Sequence, residues 1–177
     1  TDVGYHSTNF NFFNEYFLSG DITVSMYFLT NLIGYSWLLL FPSAGILGLK
    51  FLYLFFLYGT LCLSWLILKL YSNNRAVILF GLFFGEVFVT SYTPFIFSYD
   101  IASWFFLTLS ILFFIYSLKN VSVLCASLSG AFIALAGMCR ITSSAALILV
   151  LLYFITNTID KKTKQKLFFT FIFGFCC

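Results

Sequence analysis

The ionisable side chains able to do chemistry in this chain are few. The stretch Thr1-Asp2-Val3-Gly4-Tyr5-His6 sets a carboxylate beside a glycine, a phenol and the only histidine of the sequence. A carboxylate in that company can work as a general base or a metal ligand. The plainer alternatives are a solvated loop acid for Asp2, an interface anchor for Tyr5 and a surface or packing role for His6. Asp100 follows Ser98-Tyr99 at the mouth between two apolar runs, where it can serve a site or simply cap the helix that begins at Ile101. Arg140 interrupts Gly137-Met138-Cys139 and Ile141-Thr142-Ser143-Ser144. With no acid nearby in sequence it suits a phosphate, whose oxygens a guanidinium grips through paired N–H donors. Lipid headgroups, or a carboxylate elsewhere in the bundle, would satisfy it equally. Glu86 lies in the middle of an apolar run and is a functional candidate because a charge there is costly, with a polar packing role as its alternative.

The elements that must position these residues are set by composition. The chain has 177 residues, 62% hydrophobic and 8% charged, with a mean hydropathy of +1.02. Soluble domains are far more charged, so this is the composition of an integral membrane protein. A bilayer core of about 30 Å needs ~20 apolar residues in helical form. Ile46–Leu70, Ala76–Phe97, Ile101–Leu118 and Val121–Cys139 meet that length, Ala145–Thr158 extends back through Ile141–Ser144 to approach it, and Leu167–Cys177 opens a further span. The predicted fold is all-α: a polytopic transmembrane helical bundle with an extracytoplasmic loop carrying interfacial helices. Residues 1–177 form a single membrane domain, incomplete at both ends, with the loop in 1–45 and about five spans plus the start of another in 46–177.

Orientation follows from the basic residues. Lys69, Arg75, Lys119, Lys161, Lys162, Lys164 and Lys166, seven of the nine, fall in alternate turns, which are assigned to the cytoplasm. Residues 1–45, Ser91–Asp100 and Cys139–Thr142 then share the opposite face, so Asp2, Asp100 and Arg140 converge there. Ser25–Phe41 is the deciding segment. Crossing the membrane would make Asp2 cytoplasmic, whereas an interfacial helix keeps it outside; Tyr27, Tyr35 and Trp37 favour the interface. Gly81 and Gly85, and the series Ser127, Gly130, Ala131, Ala134 and Gly137, have the small-residue spacing of close helix contacts. The five cysteines show no C-x-x-C or zinc spacing and read as small packing residues. The basic residues form no continuous face for nucleic acid, which is excluded as a partner.

Taken together, Asp2-Val3-Gly4-Tyr5-His6, the surface segment Ser25–Phe41, Asp100, and Gly130…Ala136-Gly137…Arg140-Ile141-Thr142-Ser143 resemble the type-C membrane glycosyltransferases, specifically the protein O-mannosyltransferase and aminoarabinose-transferase-like superfamily. Val3 stands where many members have Glu. The resemblance implies an inverting enzyme that moves a sugar from a polyprenyl-phosphate carrier to an acceptor hydroxyl on a glycan, lipid or protein at the extracytoplasmic face. It implies Asp2 and Asp100 as catalytic residues and candidate ligands of a divalent metal ion. Tyr5, His6 and Arg140 become substrate-binding residues, Arg140 on the lipid phosphate, with the prenyl tail against the membrane lipid side of the spans. Two other readings compete: a secondary transporter with Glu86 at a mid-membrane site, and a noncatalytic membrane assembly subunit. A reporter placed beside residue 6 is expected to be shielded from the cytoplasm; labelling by a cytoplasmic reagent would overturn the orientation.

Overall fold

The computed structural model describes residues 2–20, 26–92, 96–155 and 160–177, without the side chains of residues 2–6 and 86–92. Among the described residues the chain is all-α. Helices α1 (Asp2–Asn11), α2 (Phe13–Leu18) and α3 (Phe28–Leu40) precede α4 (Gly45–Lys69), α5 (Arg75–Tyr92), α6 (Tyr99–Asn120) and α7 (Val123–Cys139). A 3₁₀ segment (Ile141–Leu151) then runs into α8 (Leu152–Ile155), and α9 (Lys161–Cys176) closes the described chain. Among the described residues two helices, α4 and α6, are long and apolar enough to cross a membrane. They correspond to the expected spans Ile46–Leu70 and Ile101–Leu118. The shorter apolar helices include α3, α7 and the stretch Ile141–Ile155.

Consecutive long elements alternate in direction. Phe97 N donates to Leu49 O at 3.3 Å, so the start of α4 lies beside the start of α6. At the far end Lys119 Nζ donates to Leu70 O at 3.2 Å. Basic turns and site residues therefore occupy opposite ends of the packing. Caps terminate the elements where the sequence supplies them. Asn74 Oδ1 accepts from Ala76 N at 3.1 Å to open α5, and Ser122 Oγ accepts from Cys125 N at 3.3 Å to open α7. Asp160 accepts from Thr163 N at 3.0 Å, and the Thr163 hydroxyl and amide hold its carboxyl below its usual range. That cap is present above the ordinary carboxylate pKa and is lost only as pH falls through the lowered one.

Polar groups at heptad spacing knit α6 to α7 and to the stretch that follows it. Ser103, Ser110 and Ser117 recur every seven residues along α6, and all three are buried. Ser110 Oγ donates to Ser129 O at 2.9 Å and Ser129 Oγ donates to Ser110 O at 2.9 Å, a reciprocal clamp between α6 and α7. Ser103 meets the hydroxyl of Ser143, and Ser117 that of Tyr153 at 2.6 Å, both on the stretch that follows α7. Each of these three buried hydroxyls thus has a partner, which an apolar environment demands.

Several expectations change. Residues 2–6 lie in the first turns of α1, since helical geometry continues unbroken from Asp2 to Asn11. Ile141–Leu151 winds as 3₁₀ rather than as part of an α-helical span. At ~2.0 Å rise per residue against ~1.5 Å, the fifteen residues of Ile141–Ile155 reach about 28 Å rather than about 22 Å. The small-residue expectation divides. A Cβ on Gly130 would collide with the backbone of Phe171, and one on Gly174 with the backbone of Ser127, so α7 and α9 cross in contact. Gly81 and Gly85 face open space among the described residues; their spacing permits a close neighbour, and no described residue sits there. Of the cysteines, Cys139 alone is fully buried, while Cys62, Cys176 and Cys177 are exposed.

Gly130→Ala is expected to lower the thermal midpoint in detergent, at a cost of about 1–3 kcal/mol, because the facing element is backbone and cannot step aside. Gly81→Ala should be neutral or stabilising by up to about 1 kcal/mol through helix propensity. Equal responses from the two variants would rule out the close α7–α9 crossing.

Candidate functional site

The ends of α6 and α7 that meet beside the start of α4 carry the two charged candidates. Ser98, in extended conformation, is the N-cap residue of α6. Asp100 therefore lies in the first helical turn rather than at the cap, where the exposed N–H groups of the helix favour a negative charge. Arg140 is the C-cap residue of α7, with φ −156° and ψ 115°. That extended backbone turns its side chain out of the helix, and its Nη1 donates to Asp100 Oδ1 in an ion pair. Arg140 thus pairs with a carboxylate of another helix, one of the readings open for it.

Aromatic rings complete the surroundings. The guanidinium carbon of Arg140 lies 5.6 Å from the ring centroid of Tyr99, within cation–π range. Tyr99 is stacked on Tyr27 at 4.4 Å with an interplanar angle of 16°. The Arg140 side chain remains 42% exposed and that of Asp100 23%. A guanidinium has five donors in a planar fork, so pairing through Nη1 leaves the rest of the fork for an anion. Asp100 fixes the charge in place and Tyr99 supports its face.

The N-terminal helices gather at the same end. Thr30 Oγ1 donates to Cys139 O at 3.4 Å near the start of α3, and Trp37 Nε1 donates to Gly48 O at 2.9 Å near its finish. Both ends of α3 therefore touch the same end of the bundle, and α3 lies across it. Phe10, late in α1, is fully buried, faces Gly34 too closely for any side chain there, and packs on Phe97 with ring centroids 6.0 Å apart. This contact carries α1, with Asp2 in its first turn, to the end that holds Asp100 and Arg140. The side chains of Asp2, Tyr5 and His6, and that of Glu86, lie outside the described ones.

Sequence reasoning missed several participants. Tyr27 reads as an interface residue and Tyr99 only as a neighbour of Asp100, and the stack forms between positions far apart in the chain. Asn9 Nδ2 and Ser98 Oγ are buried without a hydrogen-bond partner among the described residues. They flank Phe10 and Phe97 in sequence, and only the docking of α1 on the start of α6 brings them into one region. As for a metal, no group of three or more His, Cys, Asp or Glu side chains gathers at ligand spacing among the described residues, and the Asp100 carboxylate is engaged by Arg140. Within the described side chains, the chemistry supported is recognition of an anion by a braced guanidinium.

No family model, curated protein or solved structure matches the chain.

A double-mutant cycle on Asp100→Asn and Arg140→Gln is expected to give a coupling on the order of 1 kcal/mol for this partly exposed pair. The coupling should shrink as salt is raised. Strict additivity of the two changes would show that the pair is not formed in solution.

Proposed function

We propose that the chain is the membrane-embedded part of a glycosyltransferase that passes a sugar from a polyprenyl-phosphate donor to an acceptor hydroxyl, with inversion, at the extracytoplasmic face. The long elements are read as a polytopic bundle, α1 to α3 as elements at its outer surface, and the lysine-rich end as cytoplasmic. The observation that carries the reading is the half-exposed Arg140, braced by Asp100 and Tyr99 at the end of the packing opposite the basic turns.

In this reading the acceptor hydroxyl attacks the anomeric carbon on the face opposite the phosphate. Asp2 takes the hydroxyl proton as the new C–O bond forms. The bond from the anomeric carbon to the phosphate oxygen breaks, and its electron pair leaves with the polyprenyl phosphate. Arg140 meets the negative charge that develops there, which is where fixed positive charge lowers a barrier most. Asp100 acts through Arg140 by holding the fork in orientation. Tyr5 and His6, on the same helix as Asp2, position the substrate.

Asp2→Asn in the membrane-inserted protein should abolish sugar transfer, by at least about 100-fold for loss of a general base, while membrane insertion and expression stay unchanged. Arg140→Lys should weaken donor use, since an ammonium lacks the paired donors. Full transfer activity in Asp2→Asn would end the assignment.

A further inference from the structure

The end of the bundle that holds no candidate catalytic residue has a pocket of its own. The turn between α4 and α5 encloses a cavity of about 320 Å³ lined by Trp65, Lys69, Ser72, Asn73, Arg75 and Ile78. Ile78, 3% exposed, forms its floor. Neither Lys69 nor Arg75 makes an ion pair among the described residues, and no carboxylate lines the cavity. The turn is held in shape from outside. Lys119 Nζ bonds Leu70 O at 3.2 Å and lies 5.6 Å from the Tyr71 ring centroid. Asn74 N donates to Ser72 Oγ at 3.2 Å. Two exposed cations thus line one small pocket, with neutral hydrogen-bonding groups between them.

The pocket does not end at its polar part. Trp65 also lines an apolar hollow with Leu61, Cys62 and Leu66. Leu61 in turn lines a cleft of about 180 Å³ between α4, α5 and α6, where Gly81 and Gly85 leave room. The cationic pocket thus shares Trp65 with the apolar hollow, and the hollow shares Leu61 with the cleft, an order of polarity along α4 that matches one phospholipid molecule. Charge complementarity sets the headgroup as an anion, and the trough sets the ligand as a lipid rather than a free phosphate.

We propose that the pocket formed by Trp65, Lys69, Ser72, Asn73 and Arg75 holds the headgroup phosphate of an anionic phospholipid whose acyl chain lies in the trough along α4. The site rests on the membrane reading and is independent of the sugar-transfer chemistry. It lies at the opposite end of the bundle from Arg140, so a lipid here is a structural or regulatory partner rather than the sugar donor. Lys69 and Arg75 contact the phosphate oxygens, Ser72 and Asn73 the remaining headgroup oxygens, and Trp65 borders both the polar and the apolar part, as interfacial indoles do.

The test uses the whole protein extracted in mild detergent and native mass spectrometry, with phosphatidylglycerol and phosphatidylcholine of identical chains as probes. Phosphatidylglycerol is expected to be retained about tenfold more than phosphatidylcholine, and the double variant Lys69→Gln/Arg75→Gln to lose that preference. The control Lys161→Gln/Lys162→Gln removes the same charge from the same end and should keep it. Circular dichroism on each variant separates loss of the site from loss of the fold. Equal retention of the two lipids, an unchanged preference in Lys69→Gln/Arg75→Gln, or an equal loss in the control would overturn the proposal. Competition by millimolar inorganic phosphate as effective as by phosphatidylglycerol would overturn the lipid assignment. Membrane extraction itself checks the membrane reading separately, since a protein recovered without detergent would sink that reading first.

Discussion

The packing rests on the serine seam of α6. In a chain this poor in charge, apolar faces attract one another with little regard to register, and hydroxyls are what make one alignment differ from the next. Ser103, Ser110 and Ser117 present one buried hydroxyl every two turns, and each engages a different segment. Interhelical hydrogen bonds of this kind contribute only about 0.6 kcal/mol each in membrane proteins. Their effect is therefore less on total stability than on sliding. A shift of α7 against α6 by one residue would strand both members of the Ser110–Ser129 clamp, and unpartnered buried hydroxyls are expensive.

The charged end inherits that register. Asp100 and Ser103 lie one turn apart on α6, and Arg140 and Ser143 one stretch apart after α7. The hydroxyl contact between the serines thus sets the height at which the carboxylate and the guanidinium meet. Bulkier contacts add direction: the Gly130–Phe171 and Gly174–Ser127 approaches hold α9 against the outer side of α7, and Phe10 locks α1 against α3 and the start of α6. An anion at Arg140 would be bound by a group whose position is fixed from three sides.

How much of this could be read from the chain depends on the range of the interaction. The two long apolar helices, the basic turns and the aromatic segment that forms α3 are properties of contiguous residues, and they are legible as periodicity and composition. Gly130 is legible as a small residue, but the Phe171 backbone it meets belongs to a helix that reads only as an apolar run after a lysine cluster. Gly81 and Gly85 show the limit of the same rule, since a gap between side chains is visible in sequence and its occupant is not. The Asp100–Arg140 pair joins residues forty apart with many alternative mates, and no local pattern selects between a carboxylate and a phosphate. The start of α1 at Asp2 was hidden because Val3, Gly4, Ser7, Thr8 and Asn9 are weak helix formers and the packing of Phe10 outweighs them.

The 3₁₀ winding of Ile141–Leu151 has a dimensional origin. Its two hydroxyl partners on α6, Ser103 and Ser117, stand nearly four α-turns apart, about 21 Å. The groups that must reach them, Ser143 and Tyr153, are ten residues apart, which α-geometry would place only about 15 Å from each other. Winding most of that distance as 3₁₀ lengthens it to about 19 Å, and the Tyr153 side chain covers the remainder. The segment spans the distance between two hydroxyl contacts, and Arg140 is the residue that precedes it. Slackening it into an α-helix would release either Tyr153 below or Ser143 above, and in the second case the guanidinium would be drawn away from Asp100.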